Sequence, residues 1–443
     1  MPLPPTTDAL RIGLAEPLRI GLAGLGNVGA GVAKLLADNA EIITRRANRP
    51  IAVTAVSARD RNRDRGIDLS AIAWVDDATE LAGRDDVDIV VELIGGSDGP
   101  ALTLARRSIA AGKGFVTANK AMLAHHGLDL AARAEAQGTA LRYEAAVAGG
   151  IPIIKALGEG MAANRIDRVY GLLNGTCNYI LTRMEAERLA FGTVLAEAQA
   201  AGYAESDPSF DIDGIDTAHK LSILAALAFG ARIDFDSVAT QGIRAIELAD
   251  LDQATALGFR IKLVGLAENL GGTLFQRVHP ALVPLAHPLA AASGALNAVA
   301  AEGDFVGRLF FQGRGAGEGP TASAVVADLI DIARGVATHP FGMPVAALTA
   351  LPTADPASRR GRYYLRLTVA DRPGVLAELT AALRDHGVSI ESLVQRNLSA
   401  QGDAMVVMIT HISNEVAVLA SLAQMEGSDA VTGPPVMMHI LDF

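Results

Sequence analysis

Seven ionisable side chains are concentrated between residues 205 and 220. Five carboxylates come first and one lysine, Lys220, comes last, so the segment differs from the usual surface mixture of acids and lysines. Lys220 follows Asp216 by four residues, which places both on one face of a helix that begins near Gly214. Acids grouped around a single ammonium could hold a small zwitterion and move a proton. An acidic surface loop is the alternative interpretation.

A glycine-rich turn over residues 24–29 (GLGNVG) directly follows a predicted strand and opens a predicted helix. The first glycine permits a tight turn, the second lets a pyrophosphate approach the backbone, and the third lets helix and strand pack closely. Since a plain glycine turn would not need all three, the spacing predicts dinucleotide binding. The next predicted strand ends at Arg59, whose guanidinium suits a 2′-phosphate and favours NADP. The neighbouring Asp60 leaves NAD open, and a solvated basic loop is the alternative.

The composition of the chain excludes several kinds of partner and site. The chain has 443 residues, a net charge of −11 and one cysteine. The charge argues against a nucleic-acid partner, and a lone cysteine excludes an intramolecular disulfide and a cysteine-rich zinc site. No apolar run is long enough to span a bilayer and no signal peptide is visible, so we expect a cytoplasmic protein without a membrane partner. Small metabolites are the expected ligands.

The predicted fold class is α/β with three domains. Val- and Ile-rich strands alternate with helices over residues 18–150, which predicts a Rossmann-type parallel sheet, completed by a helix at 320–345. Residues 151–319 are predicted to form an α+β domain, to which the family resemblance given below assigns catalysis and dimerisation. A segment with Pro, Ser and Arg at 346–361 predicts a linker. The pattern β-α-β-β-α-β over 362–443 then predicts a small ferredoxin-like domain.

The hexapeptide LRIGLA occurs twice, at 10–15 and 18–23. Only the second copy continues into the glycine turn. The first runs into Glu16-Pro17, which is incompatible with a phosphate-binding loop. We interpret the first copy as a duplicated or mis-started extension without a role in folding.

Several motifs resemble the homoserine dehydrogenase family. The segment Ala198 to Lys220 resembles the family signature, and further stretches agree in order: VELIGG at 91–96, TANKAMLA at 117–124, YEAAVAGGIPIIK at 143–155, NGTCNYIL at 174–181 and GAGEGPTASAVVAD at 315–328. The resemblance covers roughly residues 18–345. It implies reversible reduction of L-aspartate 4-semialdehyde to L-homoserine by a nicotinamide cofactor, in threonine, methionine and isoleucine biosynthesis.

The resemblance also implies roles for individual residues. Lys220 becomes the proton donor to the alkoxide that hydride creates, Asp216 holds Lys220 or a water, and Lys120 is a second lysine at the substrate–cofactor junction. The implied substrate contacts are Glu205, Tyr203, Asp211, Gly175 and Thr176. The cofactor contacts, from the glycine turn and the resemblance together, are Gly24, Gly26, Asn27, Val28, Gly29, Arg59, Gly96, Asn119, Lys120 and Gly317. Asp213 and His219 are as readily helix-start or packing residues as catalytic ones, and Cys177 is interpreted as a packing residue.

A monovalent cation, sodium or potassium, is a further implication of the resemblance. The implied site is built mainly from backbone carbonyls, which suit a hard cation. Its residues are Glu144, Val147, Gly149 and Ile151. A plain strand-to-helix turn is the alternative.

The end of the chain resembles an ACT domain through DRPGVL at 371–376. ACT modules pair and bind an amino acid at the interface, so the resemblance implies a homodimer or homotetramer and an allosteric effector, with threonine expected. The residues implied to line the effector loop are Asp371, Gly374 and Val375. An ACT domain retained only for assembly is the alternative.

Two other functions compete with the implied activity. Another ACT-bearing dehydrogenase that acts on a 2-hydroxy acid would need an Arg/Glu/His set, which is not found at suitable positions. An inactive amino-acid sensor should have lost Lys220 or a glycine of the turn, and all are present.

Overall fold

The computed structural model describes residues 16–355, 357, 359–397 and 403–442. The first LRIGLA copy, at 10–15, lies outside these residues. The chain divides into two compact units, Met1–Ala162 with Arg314–Thr349, and Ala163–Gly313 with Ala350–Phe443. Within the described ranges, no helix is long and apolar enough to cross a membrane.

The strands and helices have the following bounds. In chain order, the strands are β1 (Leu18–Ala23), β2 (Ile51–Ser57), β3 (Ala73–Trp74), β4 (Ile89–Glu92), β5 (Gly114–Thr117), β6 (Leu141–Arg142), β7 (Ile166–Leu172), β8 (Ala239–Thr240), β9 (Phe259–Asn269), β10 (Leu274–Pro284), β11 (Leu296–Gly303), β12 (Gly307–Arg314), β13 (Arg360–Ala370), β14 (Ile390–Asn397), β15 (Asp403–Thr410), β16 (Ser413–Asn414) and β17 (Val436–Ile440). The helices are α1 (Asn27–Asp38), α2 (Ala40–Ala47), α3 (Pro100–Ala110), α4 (Lys120–Gln137), α5 (Ile153–Lys155), α6 (Gly175–Glu187), α7 (Phe191–Ala200), α8 (Ser209–Ile212), α9 (Ile215–Phe229), α10 (Leu248–Ala256), α11 (Pro288–Ala291), α12 (Glu318–Ala333), α13 (Val375–Asp385) and α14 (Glu415–Glu426).

The first unit is built on a parallel sheet of order β3-β2-β1-β4-β5-β6. The order reverses at β1, so a crevice opens beyond the carboxyl ends of β1 and β4, where such sheets bind nucleotides. Ile20 and Val91 of the sheet share a buried core with Val32 of α1 and with Val325 and Leu329 of α12. The predicted α/β fold with a Rossmann-type sheet is confirmed.

Two elements of this unit are shorter than predicted. The sequence from Asn27 to Arg46 predicts one long helix after the glycine turn, but the structure interrupts it at Asn39, a residue type that favours helix ends. The sequence ALRYEAAV predicts a short strand over 140–147, but the structure has a strand only at Leu141–Arg142, followed by a 3₁₀ turn over Glu144–Ala146. The backbone N–H of Glu144 donates to the buried Asp328 carboxylate at 2.9 Å. This tertiary contact diverts the chain from the strand.

The second unit contains one mixed sheet whose main path runs β12-β11-β7-β9-β10-β17-β13-β15-β14. Its last four strands are antiparallel and carry α13 and α14, which confirms the predicted ferredoxin-like arrangement. The final strand β17 pairs in parallel with β10, with Ala281 beside His439. The sheet is therefore continuous between the predicted catalytic and ferredoxin-like domains, and the proposed domain limits remain a prediction.

The segment predicted as a linker also contacts β10. The carbonyl of Pro352 accepts a hydrogen bond from the backbone N–H of Leu274 at 2.8 Å, and Thr353 forms an isolated bridge with the same residue. This segment is therefore hydrogen-bonded to the first residue of β10.

Two buried ion pairs connect the ferredoxin-like strands to the rest of the second unit. Arg277 on β10 donates two hydrogen bonds to Glu415 at the start of α14, both at 2.9 Å. Arg366 on β13 donates to Asp250 in α10 at 2.6 Å. All four side chains are buried. Because charges are costly to bury without a partner, each pair requires both of its members.

Candidate active site

The acid–lysine segment predicted to do chemistry forms a buried pair at the start of α9. Gly214, with φ +89°, ends the preceding turn and allows α9 to begin at Ile215. Lys220 Nζ donates to Asp216 Oδ2 at 2.6 Å and to the carbonyl of Leu173 at 2.7 Å. The four-residue spacing therefore has the predicted geometry, and the ammonium is held by one charged and one neutral acceptor.

Asn174 joins two of the predicted carboxylates and was missed by the sequence reasoning. Its Nδ2 donates to Asp211 Oδ1 and to Asp216 Oδ2, both at 2.8 Å. Its Oδ1 accepts from the backbone N–H of Cys177 at 2.8 Å, so the same side chain caps α6. An asparagine before a helical run is a recognisable N-cap signal. That signal predicts the cap, but it does not predict the contacts with the two aspartates.

Asp211 lies in an unfavourable environment for a carboxylate. Burial raises its pKa above the ordinary range, and the nearby Asp216 carboxylate raises it further. The hydrogen bond from Asn174 acts in the opposite direction. A positively charged ligand group beside Asp211 would therefore be stabilised.

A second asparagine, Asn297, supports the lysine. Its Nδ2 donates at 3.0 Å to the carbonyl of Leu173, the same oxygen that accepts from Lys220. Asn297 is 1 % exposed. It is more than seventy positions from Lys220 in the chain, and no local pattern marks it.

The remaining predicted substrate residues lie around the start of α6 and the loop before α8. Gly175 is the first residue of α6, and the Thr176 hydroxyl donates to the carbonyl of Tyr203 at 2.9 Å. The Tyr203 ring is half-exposed and stacks on Tyr179 with 4.6 Å between centroids. Glu205 is exposed, and its backbone carbonyl accepts from Gln199. The structure thus links Thr176 to Tyr203, while the contact of Glu205 with substrate remains a prediction.

Asp213, His219 and Cys177, which were not assigned to the reaction, contact other parts of the fold. Arg244 donates to Asp213 at 2.5 and 2.9 Å. The His219 ring lies against two aromatic rings, Phe210 and Phe235, at centroid distances of 5.4 and 4.4 Å. Cys177 is buried, and burial raises the pKa of its thiol well above the ordinary value. The contacts of His219 and Cys177 are those of packing residues, whereas Asp213 forms an exposed ion pair.

The glycine turn of the first unit leaves no space for a side chain at Gly24 or Gly29, while Gly26 faces open space. Gly24 has φ +104°, and a Cβ there would lie 2.6 Å from the Leu93 carbonyl oxygen. A Cβ on Gly29 would lie 2.0 Å from the Gly24 carbonyl oxygen. Helix α1 begins at Asn27, so its first backbone N–H groups face the turn. This cradle fits a dinucleotide pyrophosphate.

Predicted cofactor residues on neighbouring strands are connected to one another. The side chain of Asn119 donates to the carbonyl of Gly96 at 2.7 Å, and Lys120 is the first residue of α4. The buried Glu92, missed from sequence, accepts from the Thr117 hydroxyl at 2.6 Å. Glu92 and Asn119 therefore shape the two loops that follow β4 and β5.

Arg59 follows β2 and is exposed, as a residue that reads a 2′-phosphate must be. A different arginine, Arg65, positions this loop. Arg65 donates to the carbonyl of Leu25 in the glycine turn at 2.9 Å and to the carbonyl of Asp60 at 2.5 Å. Arg65 was missed because these acceptors are backbone atoms brought together only by folding.

The predicted cation residues form a tight turn in the first unit. Ala148 and Gly149 both have left-handed backbone conformations, with φ of +55° and +53°. Gly317, with φ +115°, caps α12 in the same unit. The Glu144 carboxylate accepts from the backbone of Ile154 at 2.9 Å, and burial raises its pKa to about 7. In the described part of the chain, no group of three or more His, Cys, Asp or Glu residues could hold a metal ion.

Comparison with known proteins assigns the family. A homoserine dehydrogenase NAD-binding profile matches residues 24–144, a homoserine dehydrogenase profile matches 152–330, and an ACT domain profile matches 363–427. Homoserine dehydrogenase of Neisseria gonorrhoeae is 45% identical over 434 residues, which cover 96% of this chain and 99% of that protein. The chain belongs to the homoserine dehydrogenase family.

Two other homoserine dehydrogenases support the same family assignment. Homoserine dehydrogenase of Pseudomonas aeruginosa is 42% identical over 432 residues, which cover 96% of this chain and 99% of that protein. The crystal structure of a homoserine dehydrogenase from Thiobacillus denitrificans has a TM-score of 0.91 at 43% identity, with 96% and 99% of the two chains covered. The chain is therefore an oxidoreductase with an NAD-binding domain and a C-terminal ACT domain. A 2-hydroxy-acid dehydrogenase is no longer a competing assignment.

Proposed function

We propose that the chain interconverts L-aspartate 4-semialdehyde and L-homoserine, with Lys220 as the group that exchanges the proton. A bound nicotinamide cofactor supplies or accepts the hydride. Lys220 then protonates the alkoxide oxygen or, in the reverse direction, accepts its proton. The observation that supports this role most directly is the 2.6 Å contact between Lys220 and Asp216. Asp216 stabilises the charged ammonium, and the Leu173 carbonyl fixes its direction.

Substrate binding is assigned to groups whose charge is opposite to that of the substrate group they would contact. We propose that Asp211 and Glu205 face the substrate ammonium, because carboxylates attract it. The start of α6, with Gly175 and Thr176, suits the substrate carboxylate, since helix N-termini attract anions. Lys120 stays a proposed second lysine at the cofactor junction.

A steady-state assay tests the activity itself. We expect homoserine-dependent reduction of NADP⁺ and semialdehyde-dependent oxidation of NADPH by the full-length chain. An inactive amino-acid sensor would show neither reaction while still binding its ligand. Absence of turnover in both directions would therefore contradict the proposed reaction.

NADP is the proposed cofactor in preference to NAD. The support is the exposed Arg59 at the end of β2, where a guanidinium can pair with a 2′-phosphate. Arg59→Ala should raise the KM for NADPH about tenfold, the cost of one charge-assisted contact, and leave the KM for NADH nearly unchanged. Initial rates with both cofactors measure this. Arg45→Ala, which removes an exposed arginine of α2, is the control, and equal effects of Arg59→Ala on both cofactors would contradict the assignment.

A monovalent cation is proposed at the turn formed by Glu144, Val147, Gly149 and Ile151. Consecutive left-handed residues turn successive carbonyls away from regular pairing, and carbonyl oxygens suit sodium or potassium. The cation would hold this turn in place. The steady-state assay in choline chloride, compared with sodium and potassium chloride at equal ionic strength, should show a lower rate; equal rates in all three salts would count against the site.

The ACT domain is proposed to bind threonine as an inhibitor. The proposal is supported by the loop before α13, where Gly374, with φ +97°, caps the helix and Val375 begins it. Threonine should lower initial rates of the full-length wild type, and Asp371→Ala should raise the half-inhibitory concentration at least about tenfold. Arg384→Ala, at the other end of α13, is the control and should respond like the wild type. If threonine leaves the wild-type rate unchanged, the ACT domain serves assembly alone.

The oligomeric state, the cellular location and the pathway of the enzyme are also proposals. We propose a homodimer or homotetramer, in which ACT modules pair, and a cytoplasmic location. The homoserine produced would serve threonine, methionine and isoleucine synthesis. Sedimentation of the full-length chain distinguishes the two assemblies, and a monomeric species would contradict both.

A further inference from the structure

A buried lysine outside the candidate active site borders a cavity in the second unit. Lys262 lies on β9 and is 1 % exposed. The cavity has a volume of about 520 Å³, and its lining includes Glu185 and Arg188 from α6 and its C-terminal cap, Asp252 from α10, and Arg260 from β9. The proposed reaction uses none of these residues.

The ammonium of Lys262 is held by neutral groups. Nζ donates to Asn178 Oδ1 at 2.8 Å and to the carbonyl of Ala292 at 2.6 Å. A lysine ammonium carries three N–H donors. Among the residues that the structure describes, no carboxylate forms an ion pair with it. A buried cation therefore retains one donor and lacks a counter-charge.

The acids of the cavity already have partners. Glu185 forms an ion pair with Arg260 at 3.0 Å, and Asp252 forms one with Arg188. The charged groups facing Lys262 thus comprise two arginines and two acids, which balance each other. Lys262 is therefore the cation of this group that has no carboxylate as an ion-pair partner in the part of the chain that the structure describes.

An unpaired buried ammonium is energetically unfavourable. Burial lowers the pKa of Lys262 to about 8, and the nearby Arg260 cation adds to the shift, while the Glu185 carboxylate opposes it without reversing it. An anion in the cavity would oppose this lowering of the pKa, because it would accept the third N–H and neutralise the charge of the ammonium. Ser293 also lines the cavity and could donate its hydroxyl to the same anion.

We propose that this cavity is a binding site for a small anion, a carboxylate or a tetrahedral oxyanion, with Lys262 as its principal ligand. The site is connected to the substrate-binding helix, because Asn178 lies on α6, one turn after Gly175. Asn178 also donates to the carbonyls of Ala292 and Leu296. An anion at Lys262 therefore contacts the network that holds α6.

Two probes test the site in the full-length protein: acetate for a carboxylate and sulfate for a tetrahedral oxyanion. Neither probe changes charge between pH 7 and 9.5, so any change in affinity comes from the protein. Titration calorimetry at pH 7 should show saturable binding of at least one of them. At pH 9.5 the affinity should fall roughly 30-fold, because with a pKa of about 8 only roughly 3% of the free protein carries the charged lysine.

Lys262→Met should abolish the saturable binding, and Arg45→Met, which also removes one positive charge, should retain it. Sulfate stabilises proteins generally by exclusion from their surface, so only saturable heat that disappears in Lys262→Met counts. Loss of a buried charge does not require unfolding, and circular dichroism checks the variant's fold. The pH comparison uses wild type alone and does not depend on that variant. The proposal fails if wild type binds neither probe, if Lys262→Met binds as well, or if affinity is equal at both pH values.

Discussion

Lys220→Met is expected to lower kcat by about 10²- to 10⁴-fold, the usual range for loss of a general acid–base group. Methionine has a similar length but cannot carry a proton. The substitution also leaves the Asp216 carboxylate and the Leu173 carbonyl without the donor they share at 2.6 and 2.7 Å. The substitution removes no contact of the glycine turn at residues 24–29, so binding of NADPH should stay within about twofold of wild type.

Initial rates in both reaction directions and fluorescence titration with NADPH measure the two effects. Asp213→Asn is the matched control, since Asp213 lies in the same acidic segment but pairs with Arg244 at the surface. An exposed pair contributes little, so this variant should keep near-normal kcat. Near-normal turnover of Lys220→Met would remove the lysine from the proton transfer.

Glu415→Ala is expected to lower the free energy of unfolding by about 3–5 kcal/mol, the cost of breaking a buried ion pair. The change leaves the Arg277 guanidinium buried between β10 and α14 without its two 2.9 Å acceptors. The imidazole of His439, 2.9 Å from the same carboxylate, loses this contact and keeps only its 2.6 Å contact with the now unpaired Arg277. The second unit should therefore unfold at a lower urea concentration.

Urea unfolding of wild type and variant measures this difference. Glu378→Ala, which breaks the exposed pair with Arg372, should cost less than about 1 kcal/mol. The double variant Arg277→Met/Glu415→Leu should recover most of the loss, because apolar residues can replace a buried pair. A loss from Glu415→Ala no larger than that from Glu378→Ala would contradict the prediction.

The same pair has a predicted pH dependence. Burial alone would raise the pKa of Glu415, but the hydrogen bonds from His439 and Arg277 hold it below the ordinary value. A carboxylate with a depressed pKa stabilises the fold above its unfolded-state pKa. That contribution is lost as the pH falls through the folded-state value. The difference between wild type and Glu415→Ala should therefore shrink in acid.

Local features of the fold and site could be predicted because their causes are local. Three glycines at the right spacing predicted the turn between β1 and α1, where added Cβ atoms on Gly24 and Gly29 would clash with backbone. The helical period predicted that Asp216 and Lys220 share a face, and their contact is 2.6 Å. Spacing of this kind is read directly from the chain.

The groups that hold those residues could not be predicted in the same way. Asn174 contacts two aspartates that follow it by 37 and 42 positions, and Asn297 shares an acceptor with Lys220 across a different element. Arg65 binds backbone carbonyls, which have no signature in the sequence. Each contact depends on strands and loops being packed together.

The sequence by itself determined the family, the α/β class, the order of elements and the residue types available for hydride and proton transfer. These follow from hydrophobic period, glycine spacing and short motifs, all of which act over a few residues. Only the tertiary structure decided that β17 pairs with β10 in one continuous sheet, that Arg277 and Glu415 are buried together, and that Lys262 has neutral acceptors beside a cavity. The physical reason is that sheet pairing, burial and desolvation depend on residues distant in the chain.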